Sequence, residues 1–159
     1  MTGKEDEIRI RSATNADCEN IKKLVFGVLR EYGLKPEPGG TDTDLDDIEK
    51  EYFGRGGLFE VLEDADGNLL GTTGLFPLDN KTIELRKMYF DRRLRGRGYG
   101  KKMLERMIAQ SREMKFKRIY LETAAVLKAA AALYKKYGFE PTAEGIHSER
   151  CDAAYFLDL

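Results

Sequence analysis

Three glycines on alternate positions, Gly96, Gly98 and Gly100, sit in the run Arg95-Gly96-Arg97-Gly98-Tyr99-Gly100, and the flanking pattern limits what this stretch can become. Before it, Ile83, Leu85, Met88, Tyr89 and Phe90 predict a mostly buried strand of about eight residues. After it, Met103, Leu104, Met107 and Ile108 recur at helical spacing, with Lys101, Lys102, Glu105 and Arg106 on the opposite face. The first amides of such a helix have no partner within it and lie at the positive end of its dipole. Glycine backbone lets a bulky anion approach those amides closely, so the junction reads as a phosphate cradle. Arg92, Arg93, Arg95, Arg97, Lys101 and Lys102 crowd the same turn, which repels itself unless an anion binds or water screens it.

Two well-known phosphate loops do not fit. The spacing is Gly-x-Gly-x-Gly rather than Gly-x-Gly-x-x-Gly, and no acidic residue ends a second strand at the distance a dinucleotide fold requires. The Gly-x-x-x-x-Gly-Lys-Ser/Thr of nucleotide triphosphatases is also missing. Arg/Gln-x-x-Gly-x-Gly/Ala does fit, filled by Arg95, Gly98 and Gly100.

A chain of 159 residues predicts a single domain spanning 1–159. With 27 basic and 28 acidic side chains, net charge -1, no overall field favours nucleic acid or an anionic membrane. The arginines gather in one loop rather than along a face, so nucleic acid is not expected as a partner. Cys18 and Cys151 make neither a disulfide framework nor a zinc spacing, and no metal is expected. MTGKEDEIRI lacks the apolar core of a leader and no stretch is long and apolar enough to span a bilayer, so a cytoplasmic protein without membrane contact is the expectation.

In chain order, Glu7 to Ser12 alternates as a half-buried strand, and Thr14 to Asp17 offers caps for a helix ending near Gly33. Lys35 to Gly40 is a turn-rich loop. From Asp42 to Phe53, acids surround Leu45, Ile48, Tyr52 and Phe53 at helical spacing, predicting a short second helix with a solvated acidic face. A calcium loop lacks its glycine and terminal glutamate there, and an acidic lure for an amine substrate is a further reading. Gly57–Glu63 and Asn68–Leu78 form a hairpin around Asp64-Ala65-Asp66-Gly67, with Gly71 and Gly74 marking a bulge or close approach. Arg118–Thr123 is a strand parallel to the one at Ile83, because a helix intervenes. A helix from about Val126 to Tyr137 stops at Gly138, and strands from Phe139 and over Ala153–Leu159 close the chain.

The order β-α-α-β-β-β-α-β-α-β-β, with the glycine loop after the fourth strand, resembles the GNAT superfamily of N-acetyltransferases over nearly the whole chain. Ala130-x-x-Leu133-Tyr134-x-x-Tyr137-Gly138-Phe139 is similar to a second motif of that family, at its usual distance. The resemblance implies an α/β (α+β) fold: a mixed, mostly antiparallel sheet of about seven strands with a splayed parallel central pair, flanked by about four helices. It implies acetyl-CoA as co-substrate, held by Arg95, Gly96, Arg97, Gly98, Tyr99, Gly100 and Lys101 and by backbone groups of Met88, Tyr89 and Phe90. It implies Tyr134 as the acid that protonates the departing thiolate. Glu84, eleven residues before Arg95 as in some members, is the candidate general base. The acceptor is expected to be the primary amine of a small molecule, such as an amino acid or polyamine, and the protein a monomer or homodimer. A protein or peptide N-acetyltransferase and a catalytically silent acyl-CoA-binding regulator are the alternatives. His147 and Cys151 open an acyl-cysteine route. Leu127 stands where many members carry a cofactor-contacting asparagine.

Overall fold

In the computed structural model, which describes residues 7–159, a nine-residue strand leads into the glycine turn and occupies the middle of a seven-stranded sheet. Residues 1–6, the start of the segment weighed as a leader, lie outside the described part. The strands are β1 (Arg9–Ser12), β2 (Leu58–Glu63), β3 (Leu69–Pro77), β4 (Thr82–Phe90), β5 (Arg118–Thr123), β6 (Glu140–Thr142) and β7 (Ala153–Asp158), in the spatial order β1-β2-β3-β4-β5-β7-β6. The helices are α1 (Cys18–Glu31), α2 (Ile48–Glu51), α3 (Tyr99–Glu113) and α4 (Lys128–Lys136). Every neighbouring pair is antiparallel except β4 with β5, as an intervening helix demands.

The sheet is covered on both faces. Ile21, Val25 and Leu29 of α1, with Leu45, Ile48 and Tyr52, pack on Phe59 and Val61. Met103, Leu104, Met107 and Ile108 of α3 pack on Leu62, Leu75, Ile83, Leu85 and Ile119. Gly33 closes α1 at φ 73°, with the Leu34 amide bonded back to the Leu29 carbonyl at 2.8 Å, and Gly138 at φ 90° closes α4 in the same way through Phe139 and Tyr134. Gly74 is a close approach: a Cβ there would lie 2.8 Å from both the Phe59 and Tyr52 rings.

Two irregularities make room for a site. β4 and β5 pair only at Thr82↔Arg118, Ile83↔Ile119 and Glu84↔Tyr120, after which β5 continues to Thr123 against β7 alone. The β3–β4 register jumps from Thr72↔Tyr89 to Gly74↔Arg86, so Lys87 and Met88 together face Thr73. Lys87 takes φ 56°, a left-handed backbone unusual for a long side chain.

Two sequence expectations need correction. The second helix does not run from Asp42 to Phe53: a turn at Thr43–Asp46, the four-residue α2 and a turn at Phe53–Arg55 replace it. Aspartates compete with helical bonding by capping, and here the Asp47 carboxylate accepts the Lys50 amide at 3.0 Å, restarting the helix. The acidic face is solvated only in part: Asp46 and Glu49 are exposed, whereas Asp42 is fully buried and Asp44 nearly so. The last helix begins at Lys128 rather than Val126, since the Asp152 carboxylate captures the Ala125 amide at 2.7 Å and holds residues 124–127 in a turn. Among the described residues, no helix is long and apolar enough to cross a membrane.

Candidate active site

Two cavities open where β4 and β5 part, and they share a wall. One, of ≈ 400 Å³, is lined by Phe90, Arg95, Gly96, Gly98, Tyr99 and Gly100 among others. The other, of ≈ 240 Å³, is lined by Glu84, Lys87, Glu122, Tyr134, Arg150 and Cys151 among others. Met88, Tyr89, Leu127 and Ala130 line both. Met88 of the bulge therefore stands in the wall between a glycine cradle and a polar chamber.

The cradle has the features an anion needs. Gly98 is the N-cap of α3 at φ 83°, Gly96 lies at φ 75°, and a Cβ on either would meet nothing within 4 Å. The first bond of α3 runs from the Lys102 amide to the Gly98 carbonyl at 3.1 Å, which leaves the amides of Tyr99, Gly100 and Lys101 ahead of it for a ligand. The crowded cations are not left to repel each other. Arg93 pairs with Asp91 at 2.9 Å, Arg92 reaches Glu31 at 3.4 Å, and Arg95 bonds the same Glu31 carboxylate. Arg95 also donates from Nε and Nη2 to the Phe90 carbonyl at 3.1 and 2.9 Å. Its guanidinium thus braces the loop against the end of β4. Arg97 and Lys101 are exposed and line neither cavity.

In the polar chamber, Glu84 is buried, with one oxygen accepting from Arg86 Nε at 2.7 Å. Burial pushes its carboxyl above the ordinary value, and the Arg86 guanidinium offsets this in part. Tyr134 is buried against the rings of Phe139 and Tyr155, at centroid distances of 5.6 and 6.2 Å. Burial raises its phenol well above the usual value, with the Tyr89 phenol and Cys151 thiol as ionisable neighbours, so the proton is held. Glu122 is fixed by three donors: the His147 and Ser148 amides at 2.9 and 3.0 Å and the Tyr120 hydroxyl at 3.1 Å.

Behind this chamber lies a buried ion network. Lys87 Nζ sits 3.0 Å from Asp42 and 3.3 Å from Asp44. Arg150 donates from both terminal nitrogens to the two Asp42 oxygens at 2.8 Å each. The Tyr52 hydroxyl donates to Asp44, and the Arg86 guanidinium lies 3.8 Å over the Phe76 ring. Asp42 and Asp44 are the clamp that holds Lys87 in its strained conformation, of order 1–3 kcal/mol for such a residue.

A sequence profile of the Acetyltransferase (GNAT) family matches residues 27–139, which contain the splayed pair, the bulge, the glycine cradle and Tyr134. The chain belongs to the GNAT family. An uncharacterized N-acetyltransferase of Escherichia coli, YjgM, is 40% identical over 136 residues, covering 82% of this chain and 81% of its own. A GNAT-family acetyltransferase of Staphylococcus aureus superposes with TM-score 0.89 at 26% identity, over 96% of this chain and 99% of that one. A GNAT phosphinothricin acetyltransferase of Sinorhizobium meliloti in complex with AcCoA shares the fold at TM-score 0.72 and 20% identity, over 96% and 88% of the two chains.

Of the GNAT residues expected from sequence, the structure brings Glu84, Met88, Tyr89 and Tyr134 to one chamber and Phe90, Arg95, Gly96, Gly98, Tyr99 and Gly100 to the adjoining one. Leu127 caps α4 and lines both, so an apolar contact replaces the polar one that an asparagine would give. His147 and Cys151 both line the polar chamber, but burial pushes the Cys151 thiol up, away from the thiolate that an acyl-cysteine route needs. Glu122, Lys87 and Arg150 were missed by sequence reasoning, and Asp42 was placed on a solvated face. Glu122 had a signal, since it stands two residues after Tyr120 in a strand and shares its face.

Proposed function

We propose that this GNAT protein transfers the acetyl group of acetyl-CoA to the primary amine of a small molecule, by direct attack in a ternary complex. The observation that carries this reading is the shared wall at Met88, Tyr89, Leu127 and Ala130, which joins an anion cradle to a chamber holding a buried carboxyl and a buried phenol. The cradle's open glycines and leading amides fit a pyrophosphate, and the AcCoA complex of the Sinorhizobium meliloti relative supports the same cofactor here. Bound there, acetyl-CoA supplies a thioester carbonyl and a thiolate leaving group.

Glu84 accepts a proton from the acceptor ammonium, freeing the nitrogen lone pair to form the new C–N bond. Backbone groups of the bulge at Met88 steady the charge that builds on the carbonyl oxygen. Tyr134 donates its proton to sulfur as the C–S bond breaks and recovers one from the proton that the new amide nitrogen sheds, and its elevated pKa keeps it protonated at neutral pH. The chamber's ≈ 240 Å³ volume supports a small acceptor over a protein one.

Calorimetric titration of acetyl-CoA followed by thiol-release assays on amines tests the reading, which is lost if acetyl-CoA does not bind. Tyr134→Phe is expected to lower kcat about 100-fold with acetyl-CoA affinity little changed; an unaltered rate removes Tyr134 from the mechanism. Gly98→Val is expected to weaken acetyl-CoA binding at least about 10-fold, because a β-branched residue at φ 83° costs about 1–2 kcal/mol and its methyls enter the open cradle. Unchanged affinity in a variant with native circular dichroism would discard the cradle assignment.

A further inference from the structure

The polar chamber carries two signs of charge, and they are supplied by different parts of the chain. Glu84 and Glu122 come from the splayed strands β4 and β5. Lys87 comes from the bulge, Arg150 from the segment between β6 and β7, and Arg86, paired with Glu84 at 2.7 Å, from β4. The acids that neutralise Lys87 and Arg150, namely Asp42, Asp44 and Glu37, do not line the chamber. The lining of the chamber thus includes the residues that carry these cations and not the residues that carry their partners.

Arg150 is built like a recognition fork. Its side chain is 8% exposed, and its two Asp42 bonds of 2.8 Å fix the guanidinium plane from behind. Asp42 is itself held by Lys87 Nζ and by the Glu37 amide at 2.8 Å, so the backing carboxylate cannot swing. A guanidinium has five N–H donors; Asp42 occupies one on each terminal nitrogen and the Glu37 carboxylate stands 3.7 Å from Nη1, which leaves the Nε and second Nη2 donors to be shared between the neighbouring Tyr89 hydroxyl and a carboxylate in the chamber. Volume sets the scale: at ≈ 240 Å³ the chamber is smaller than the roughly 300–1,000 Å³ of pockets that take drug-sized ligands, which suits a small acceptor. A polyamine would have no anionic group to offer Lys87 and Arg150 and would bring its extra ammonium groups up against them.

We propose that Arg150 anchors the carboxylate of the acceptor, so that the acceptor is an amino acid or a comparable small amine bearing a carboxylate. This rests on the acetyl-transfer reading above, with the amino group of the same molecule at Glu84. Arg150 acts on binding and orientation, not on the transferred proton.

The full-length protein with saturating acetyl-CoA would be assayed by thiol release against L-amino acids, each beside its decarboxylated amine, and against spermidine. At least one amino acid is expected to exceed its decarboxylated amine in kcat/KM by about 100-fold or more, because the analogue leaves the buried donors unmet. Arg150→Lys keeps the charge for Asp42 but loses the planar fork, and is expected to cut that preference ratio about 10–100-fold, mainly through KM of the amino acid. A fall in both substrates with the ratio unchanged would show that Arg150 only ties the β6–β7 segment to Asp42, and would overturn the inference. Release with decarboxylated amines or spermidine alone overturns it too while leaving the small-amine reading standing. Acetyl-CoA binding with no release on any amine sinks that reading and the inference with it.

Discussion

Glu84→Gln is expected to lower kcat by about 10²–10⁴-fold while acetyl-CoA still binds, the range a positioned general base supplies. Two carboxylates line the chamber, and their surroundings separate them. Glu122 spends its oxygens on two backbone amides and the Tyr120 hydroxyl, whereas Glu84 accepts from Arg86 on one oxygen. Burial raises the Glu84 carboxyl, which makes its carboxylate the stronger base. The sign of the pH effect follows. Activity needs Glu84 ionised, so kcat/KM rises with pH through its elevated pKa, above the ordinary glutamate value of about 4.3. In the variant that acid limb disappears. Stability moves the other way, because the folded state binds this proton more tightly than the unfolded chain does. The cost of ionising Glu84 is absent below the unfolded pKa and complete above the folded one, so Glu84→Gln is expected to melt at or above the parent temperature at pH 7. A variant within threefold of parental kcat, or one that keeps the acid limb, would show that the base is elsewhere.

Much of this site was legible because its signals are local. Alternate glycines between a strand and a helix announce a cradle wherever they occur, and the Leu133-Tyr134 to Gly138-Phe139 spacing places a phenol and a helix stop within one turn of each other. Gly74 announced a close approach that the Tyr52 and Phe59 rings fill. What stayed hidden depends on pairs far apart in sequence. The acids after Thr41 looked solvated because Lys50 is the one cation among them; the cations that pair with buried Asp42 and Asp44, Lys87 and Arg150, arrive only when the sheet closes, the second across 108 residues. Glu31 likewise gave no hint that it would neutralise Arg92 and Arg95, since a charge at the end of an amphipathic helix reads as solvent-facing. The stretch His147 to Cys151 drew attention to its histidine and cysteine, which line the chamber, and gave no sign that the arginine between them is tied to Asp42 by two hydrogen bonds.

Asp42→Asn is expected to cost about 3–5 kcal/mol of stability, the range for removing one partner of a buried ion network, and therefore to lower Tm by roughly 6–20 °C in a chain of this size. Asp42 is fully buried and joins three segments: its own loop through the Glu37 amide, the bulge through Lys87, and the β6–β7 connection through Arg150. Burial alone would push its carboxyl up, but Arg150, Lys87 and the Glu37 amide outweigh that and hold it at about 2. A depressed carboxyl gives stability that is complete above the unfolded value of about 3.9 and is lost as pH falls through about 2. The parent should thus lose stability from this group between about pH 4 and 2, and the variant should lack that step. Asparagine still accepts from the Glu37 amide, so the loss reports the charge. The damage is expected to extend to chemistry, because Lys87 then keeps its left-handed backbone with Asp44 alone as clamp, and a bulge so loosened shifts Met88 in the wall between the two chambers. Thermal melts from pH 2 to 7 check the first part and thiol release at 10 °C below the variant's Tm checks the second. An Asp42→Asn protein melting within about 2 °C of the parent at pH 7 would mean that Lys87 and Arg150 find other partners, and that the acidic loop does not set the shape of the site.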